Sequence, residues 1–435
     1  MCRAPITCGS GANGYHPLLS IDKGTMASSP GAVDTKKERL VMVRYGELFL
    51  KSEPVKYHFI GILLRNIRRA LAAGQISAHC ESPRGRILIH GDRADEIAAV
   101  VSRVFGVVDV SIATITDTSE DSLCAEAVAL AKDHLHAGMR FAVRVKRQRK
   151  TGPTSQELGA LVGSAIYDVI PGLTVDLETP EYEVFVEIRD LGGVVYDSRK
   201  TAPGGLPLGT QGRVLSLLSS GIDSPVASWL AMKRGCEVVH LHIDGGRWAG
   251  ADVLSAAIEN HRRLSLWCPG EPLRMLIVQG EHFYEAMATT RIAPRLRCVL
   301  CKRFMLKVAS RLMEQEEAQA LLTGENLGQV ASQTLPNMAV ISEAVPIPVL
   351  RPLITYDKSE TITLARSIGT FDAHPGDLAC RAVPRMPATK AAIAEIRECE
   401  EQLGIDQIVS TACDCLRVVT ALDGRIIPDE PARIS

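Results

Sequence analysis

The sequence predicts a multidomain protein of α/β and α+β class, with a doubly wound parallel sheet in its C-terminal half and two small α+β units before it. Three observations carry this reading. After Arg213, short apolar runs alternate with helical patterns, as strands joined by crossover helices do. Between Leu40 and Lys200 the same elements come in shorter, mixed order, which suits small sandwiches. A stretch rich in Gly and Pro, TAPGGLPLGTQG (201–212), separates the two textures and reads as a connection, with 204–212 as the linker proper.

Residues 1–38 are rich in Gly, Ser, Ala and Pro and lack apolar periodicity, so a disordered extension is expected there. The first folded unit is expected over 39–100. LVMV (40–43) is its first strand. Phe59, Leu63, Ile67 and Leu71 then recur every four residues, marking an amphipathic helix that ends near Gly74. Arg65, Arg68 and Arg69 lie away from that stripe. RGRILIHG (84–91) is a strand and DEIAAVVSRVFG a second helix.

The second unit is expected over 101–203. It has a helix at 119–135, a strand FAVRVKRQRK (141–150) running into a basic cluster, a helix over 154–172 and alternating strands over 174–200. The third unit, 213–395, alternates VLSLL, SPVASWLAMKRG, EVVHLHID, LRMLIVQG, CKRFMLKVASRLMEQEEA and QALLTG. PIPVLRPLI is extended, and DKSETITLARSIG is a helix opened by an Asp357/Glu360 capping box. Residues 396–435 are left as a tail.

The bulk numbers limit the function. The chain has 435 residues and a net charge of −1, so it is no polycation and any nucleic-acid surface must be local. No run approaches the roughly 18 apolar residues of a membrane helix, and the first residues carry no secretory pattern. Twelve cysteines without that pattern suit thiols in a reducing compartment. The expectation is a cytoplasmic protein with no membrane partner.

The most specific signal is LLSSGIDSPVASW (217–229). A buried strand breaks at Ser219-Ser220-Gly221-Ile222-Asp223-Ser224, and a helix begins beside Pro225, a residue at home in a first helical turn. Small residues let backbone N–H groups and the positive helix end wrap an anion. No Lys follows the glycine, so this is not the Walker-type loop. It resembles the S-G-G-x-D-S pyrophosphate loop of ATP pyrophosphatases, with Ser220 where that pattern has Gly. A serine at positive φ would cost on the order of 1 kcal/mol.

With the loop in view, the chain resembles the tRNA 4-thiouridine synthetase (tRNA uracil 4-sulfurtransferase, ThiI-type) family from about Leu40 to Lys390. YGELFLK (45–51), FAVRVKR, ELGALVGSAI, LLSSGIDSPVA, KRFMLKVA (302–309), TGENLGQVASQTLPNM (323–338) and VLRPLITYDKSETITLARSIGT (349–370) carry the likeness, in the family's order. The resemblance implies a ferredoxin-like N-terminal domain, a THUMP RNA-binding domain and a Rossmann-like, pyrophosphatase-type catalytic domain. About 45 residues follow Lys390, too few for the rhodanese domain that many members carry.

The implied reaction adenylates the C4 oxygen of a tRNA uridine, by family inference at position 8, and then replaces AMP with sulfur. ATP and Mg2+ are the implied cofactors. Leu218, Ser219, Ser220, Gly221, Ile222, Asp223 and Ser224 would hold the nucleotide, with Asp223 near the magnesium. Lys302 could neutralise phosphate charge, and Gly324 and Gly328, with Gln329 and Gln333 nearby, would form a second lining loop. His240 and His242 alternate along a strand, where histidines are more often structural, and His242 is carried as a candidate at the nucleotide. Asp223, Lys302 and Cys380 are the catalytic candidates.

RCVLCKRFM puts Cys298 and Cys301 at the start of a helix, where a thiolate is favoured. Cys380 matches the family's catalytic cysteine. Three readings stay open for these three residues: an iron–sulfur cluster, a persulfide on Cys380 resolved by a CxxC thiol, or part of a zinc site. Arg144, Lys146, Arg147, Arg149 and Lys150, with Arg65, Arg68 and Arg69, are the candidate contacts to RNA phosphates. The partners implied are tRNA and a sulfur donor, either a cysteine desulfurase persulfide or free sulfide, with a homodimer as a further candidate. The competing functions are another tRNA thiolase, making 2-thiouridine or 2-thiocytidine, and a catalytically inactive RNA-binding protein.

Overall fold

The computed structural model describes residues 38–83, 85–148, 152–371 and 377–428. The extension expected over 1–38 lies outside them except for its last residue, and Arg149 and Lys150 lie outside them too.

The N-terminal half begins with β1 (Glu38–Tyr45), α1 (Glu53–Ala73), β2 (His79–Glu81), β3 (Ile87–His90) and α2 (Ala94–Val101). β4 (Val107–Thr116), α3 (Glu120–Lys132), β5 (Arg140–Arg147) and α4 (Ser155–Val169) follow. β6 (Thr174–Val175), β7 (Tyr182–Arg189), β8 (Gly192–Tyr196) and β9 (Lys200–Thr201) complete it. These strands form one nine-stranded sheet in the order β2-β3-β1-β4-β8-β7-β5-β6, with β9 beside β4. The two small units expected on either side of residue 100 therefore share a sheet, since β4 pairs with β1 on one side and β8 on the other.

One face of the sheet carries the helices. The predicted stripe of α1 buries Leu63, Ile67 and Leu71 against Val41, Val43, Ile87 and Ile89. α3 and α4 cover Val184, Val186 and Val195. The other face holds its own cluster of Leu40, Met42, Leu88, Ala113, Val194 and Tyr196. Arg86, just before β3, lies 3.4 Å from Glu187 on β7, although β1, β4 and β8 intervene. The sheet must therefore curl around this helix-free face.

The C-terminal half runs β10 (Arg213–Leu217), α5 (Asp223–Lys233), β11 (Glu237–Asp244), α6 (Val253–Leu264), β12 (Leu273–Gln279) and α7 (Glu281–Thr289). α8 (Arg297–Leu312), β13 (Ala320–Leu322), α9 (Leu335–Ser342), β14 (Val349–Leu350) and α10 (Lys358–Ile368) continue it. α11 (Ile393–Leu403), α12 (Ile405–Asp414), β15 (Leu416–Leu422) and β16 (Arg425–Ile427) close it. The sheet order is β14-β13-β10-β11-β12-β15-β16. β14 to β12 are parallel in that order, as predicted. β15 and β16 form an antiparallel hairpin on the β12 edge, so the stretch read as a tail contributes strands to this sheet. Strand order reverses beside β10, whose neighbours are β11 and β13. In open α/β sheets ligands bind outside the strand ends at such a point.

The connecting stretch is locked rather than loose. Gly205 has φ +75°, and a Cβ there would lie 2.0 Å from the Lys233 carbonyl, so glycine is required. The Leu206 N–H donates to that same carbonyl at 2.9 Å. Phe105 packs against Trp229 and Trp267, with ring centroids 5.5 and 6.1 Å apart. Ion pairs Arg234–Glu47, at 3.0 Å, and Arg69–Glu271 tie the halves further.

Candidate active site

The loop between β10 and α5 is braced by its own hydroxyls. The Ser219 N–H donates to Ser224 Oγ at 2.8 Å, and the two Oγ atoms are 2.9 Å apart. The Gly221 N–H donates to Ser219 Oγ at 3.2 Å. From α6, the Asn260 amide donates to the carbonyls of Ser219 and Gly221 at 3.2 and 3.4 Å. Ser220 is not among the residues with positive φ, so a serine at this position carries no left-handed strain. The first amides of α5 have no carbonyl a turn back to bind, which leaves them for an anion.

A second wall comes from the strand after the loop in the sheet. Gly324 follows β13, and a Cβ on it would lie 2.6 Å from the Ser224 nitrogen. Only glycine lets the two backbones approach so closely. Gly328 has φ +77° in open space and serves a turn instead.

Between these walls lies a cleft of about 710 Å³, lined by Ser219, Gly221, Asp223, Ser224, Lys302, Gly324, Glu325 and Gln333. Lys302 of α8 donates to Glu325 at 2.7 Å, and Arg351 donates to the other oxygen of Glu325 at 2.7 Å. Burial alone would raise the Glu325 carboxyl, but Lys302 and Arg351 hold it below its ordinary value, so it stays an anion that aims Lys302.

On the other side of β10 is a second cavity of about 790 Å³. Leu218, Ser220, His242, Trp248, Tyr284, Cys301 and Cys380 line it, and it shares Leu217, Ser219 and Met305 with the first. His242 Nδ1 lies 2.9 Å from the Leu218 carbonyl. A carbonyl only accepts, so Nδ1 carries the proton and Nε2 is an acceptor. Burial lowers the His242 pKa and keeps the ring neutral. Its buried Nε2 has no hydrogen-bond partner among the described residues. His240 instead pairs with His261 at 2.8 Å in the interior, a structural role.

Cys380 is exposed and held at the rim by a backbone bridge to Ala249. Cys301 accepts from or donates to the Tyr284 hydroxyl at 3.2 Å. Burial pushes the Cys301 thiol up to about 12 and the Cys298 thiol above its ordinary value. This corrects the expectation of thiolates at that helix start, because desolvation outweighs the helix end. Cys301 and Cys380 share the cavity, while Cys298 does not line it. Among the described residues no three Cys, His, Asp or Glu side chains are gathered to hold a metal. Cys298, Cys301 and Cys380 are nevertheless near enough to act on one another's charge.

Several residues at the site had gone unread. Lys358, at the start of α10, donates to both oxygens of Asp223 at 2.7 and 3.0 Å, where Gln329, a residue expected beside the second lining loop, also donates at 2.9 Å. Glu325, Arg351, Asn260 and Tyr284 were also missed. Lys358 sat inside the capping box that was read only as a helix start.

The expected RNA residues divide. Arg65, Arg68 and Lys146 are exposed. Arg69 is half-buried in its pair with Glu271, Arg144 is paired with Glu183 at 2.7 Å, and Arg147 donates to the Pro153 carbonyl at 2.5 Å. No described helix is long and apolar enough to cross a membrane.

Comparison with known proteins agrees with this architecture. The family model of thiamine biosynthesis protein (ThiI) matches residues 209–405, that of the ThiI ferredoxin-like domain 40–111, and that of the THUMP domain 117–196. A probable tRNA sulfurtransferase of Methanobrevibacter smithii is 37% identical over 385 residues, covering 87% of this chain and 99% of that protein. One from Moorella thermoacetica is also 37% identical over 385 residues, covering 87% and 97%. A crystal structure of a 4-thiouridine synthetase–RNA complex with bound ATP superposes with a TM-score of 0.77 at 28% identity, over 88% of this chain and 100% of that one.

Proposed function

We propose, because the chain belongs to the tRNA sulfurtransferase (ThiI) family, that it uses ATP to exchange a uridine C4 oxygen of tRNA, at position 8, for sulfur. The products are 4-thiouridine, AMP and pyrophosphate. The observation that carries this reading is the close approach of Gly324 to Ser224, which joins the two loops into one wall at the switch point of the sheet.

In this reading the loop amides and Lys302 receive the phosphates. Fixed donors aimed at developing charge are suited to this task. The uridine C4 oxygen attacks the α-phosphorus and pyrophosphate leaves. Magnesium would arrive with ATP, whose phosphates supply most of its ligands, and Asp223 is the carboxylate placed to add one. Lys358 would then move its charge from Asp223 toward phosphate. The neutral His242 offers Nε2 as an acceptor for the exocyclic amine of adenine.

Sulfur enters on the Cys380 side. A persulfide on Cys380, loaded from a protein persulfide, attacks C4 through its outer sulfur and expels AMP. A CxxC thiol then attacks the inner sulfur, its proton passing to the sulfur left on the base. The outer sulfur stays on the base, a disulfide between Cys380 and that thiol remains, and an external thiol reduces it. The test is tRNA-dependent pyrophosphate release with analysis of the nucleosides. 4-Thiouridine is expected, whereas 2-thiouridine, 2-thiocytidine or no release would reject the reading.

A further inference from the structure

A cluster of arginines lies on the helix-free face of the N-terminal sheet. It is assembled from four separate places in the chain. Arg44 comes from β1, Arg86 from just before β3, Arg189 from the end of β7 and Arg199 from just before β9. Glu187 of β7 sits among them. Arg189 Nε donates to Glu187 at 2.6 Å, and Arg86 Nη2 and Arg44 Nη2 lie 3.4 and 3.6 Å from it. The Tyr196 hydroxyl donates to Glu187 at 2.9 Å and accepts from Arg199 at 3.0 Å. Asp109 takes a further contact from Arg44.

Four guanidiniums thus meet two carboxylates among the described residues. An excess of positive charge held partly out of water is unfavourable until an anion joins it. Arg44 is 8% exposed, and its Nε, like that of Arg86, has no hydrogen-bond partner among the described residues. Arg199 is exposed and its guanidinium carbon stands 4.3 Å from the centre of the Phe185 ring, while Phe185 stacks on Tyr196 at 5.0 Å. A guanidinium held over an aromatic ring in this way is localised and keeps N–H donors for an oxyanion.

We propose that this arginine band, with Arg199 at its mouth, seats a phosphate of the bound RNA. The inference rests on the proposed tRNA substrate and deepens it. The arginines expected to contact RNA from the sequence are in part already engaged, as Arg69, Arg144 and Arg147 are. The band, by contrast, keeps donors to spare. Phosphate contacts of this kind set register and affinity and make binding salt-dependent.

The test is binding of an unmodified tRNA transcript to the full chain between 50 and 200 mM KCl, a range in which phosphate contacts are resolved at about one slope unit each. Arg199→Gln is expected to bind about 3–10-fold more weakly with a salt slope smaller by about one. Arg199→Lys should keep the slope while losing part of the affinity through the lost stack. Wild-type affinity and slope in Arg199→Gln, with wild-type tRNA binding intact, would overturn the site alone. Absence of tRNA binding by the wild type would overturn the tRNA reading and this site with it.

Discussion

Lys358 places its ammonium 2.7 and 3.0 Å from the two carboxylate oxygens of Asp223, joining the start of α10 to the Ser219–Ser224 loop. The pair is partly open to water, so its worth to folding is small, on the order of 0–1 kcal/mol. Its worth to catalysis is larger if the cation moves to phosphate. Lys358→Met is expected to lower tRNA-dependent pyrophosphate release by about 10²–10³ with little change in melting temperature. Asp223→Asn should do the same. Parallel activity and thermal-melt measurements separate the two effects, and a large fall in melting temperature with activity retained would assign the pair to stability instead.

Gly324 and Gly328 differ in what they require. Gly324→Ala puts a Cβ against the Ser224 backbone, which cannot step aside like a flexible side chain. A loss of about 1–3 kcal/mol and a marked weakening of ATP binding are expected. Gly328→Ala meets open space and should cost about 1 kcal/mol from its left-handed backbone, with ATP binding nearly unchanged. Calorimetric titration and urea unfolding of both variants check the contrast.

Glu187 makes stability sensitive to acid. Burial would raise its carboxyl, but Arg86 and Arg189 hold it down to about 2. A depressed native value means the contribution is fully present above the ordinary carboxylate pKa of about 4.3 and is lost as pH falls toward about 2. Urea unfolding from pH 7 to pH 3 should show this loss. Glu187→Gln should unfold about 3–5 kcal/mol more easily at pH 7, because its arginines lose their anion, and its stability should vary less below pH 4.5. An unchanged acid limb would contradict the assignment.

Cys380 and Cys301 should differ in reactivity. Cys380 is exposed, whereas Cys301 is half-buried with its thiol pushed up to about 12, leaving little thiolate at neutral pH. Iodoacetamide at pH 7.5 should label Cys380 before Cys301, and peptide mapping reads the order. Faster labelling of Cys301 would contradict the described burial.

Much of the fold was legible because its signals are local. The stripe of Phe59, Leu63, Ile67 and Leu71 defines a helix by its period, and the Asp357/Glu360 capping box is present as read, with the Asp357 N–H donating to Glu360 at 2.7 Å. The break between β10 and α5 was legible for the same reason. What escaped was set by strand pairing between distant segments. Nothing local in LRVVT announces that β15 will extend the sheet antiparallel to β12, since an edge strand and a tail segment can share that composition. Arg44, Arg86, Arg189 and Arg199 look like scattered charges until the sheet curls. Arg69 lies off the apolar stripe and reads as an RNA contact, because its partner Glu271 is some 200 residues away.

The central claim is that the cleft between the Ser219–Ser224 loop and Gly324 activates a uridine of tRNA with ATP. Its most direct test is AMP formation from α-labelled ATP, with purified full-length chain, a protein persulfide as sulfur donor together with an external thiol, and unmodified tRNA present or omitted. Labelled AMP and 4-thiouridine in equal amounts, only with tRNA and abolished by Asp223→Asn, is the predicted result. AMP formation independent of tRNA, or thiolation that persists in Asp223→Asn, would contradict it.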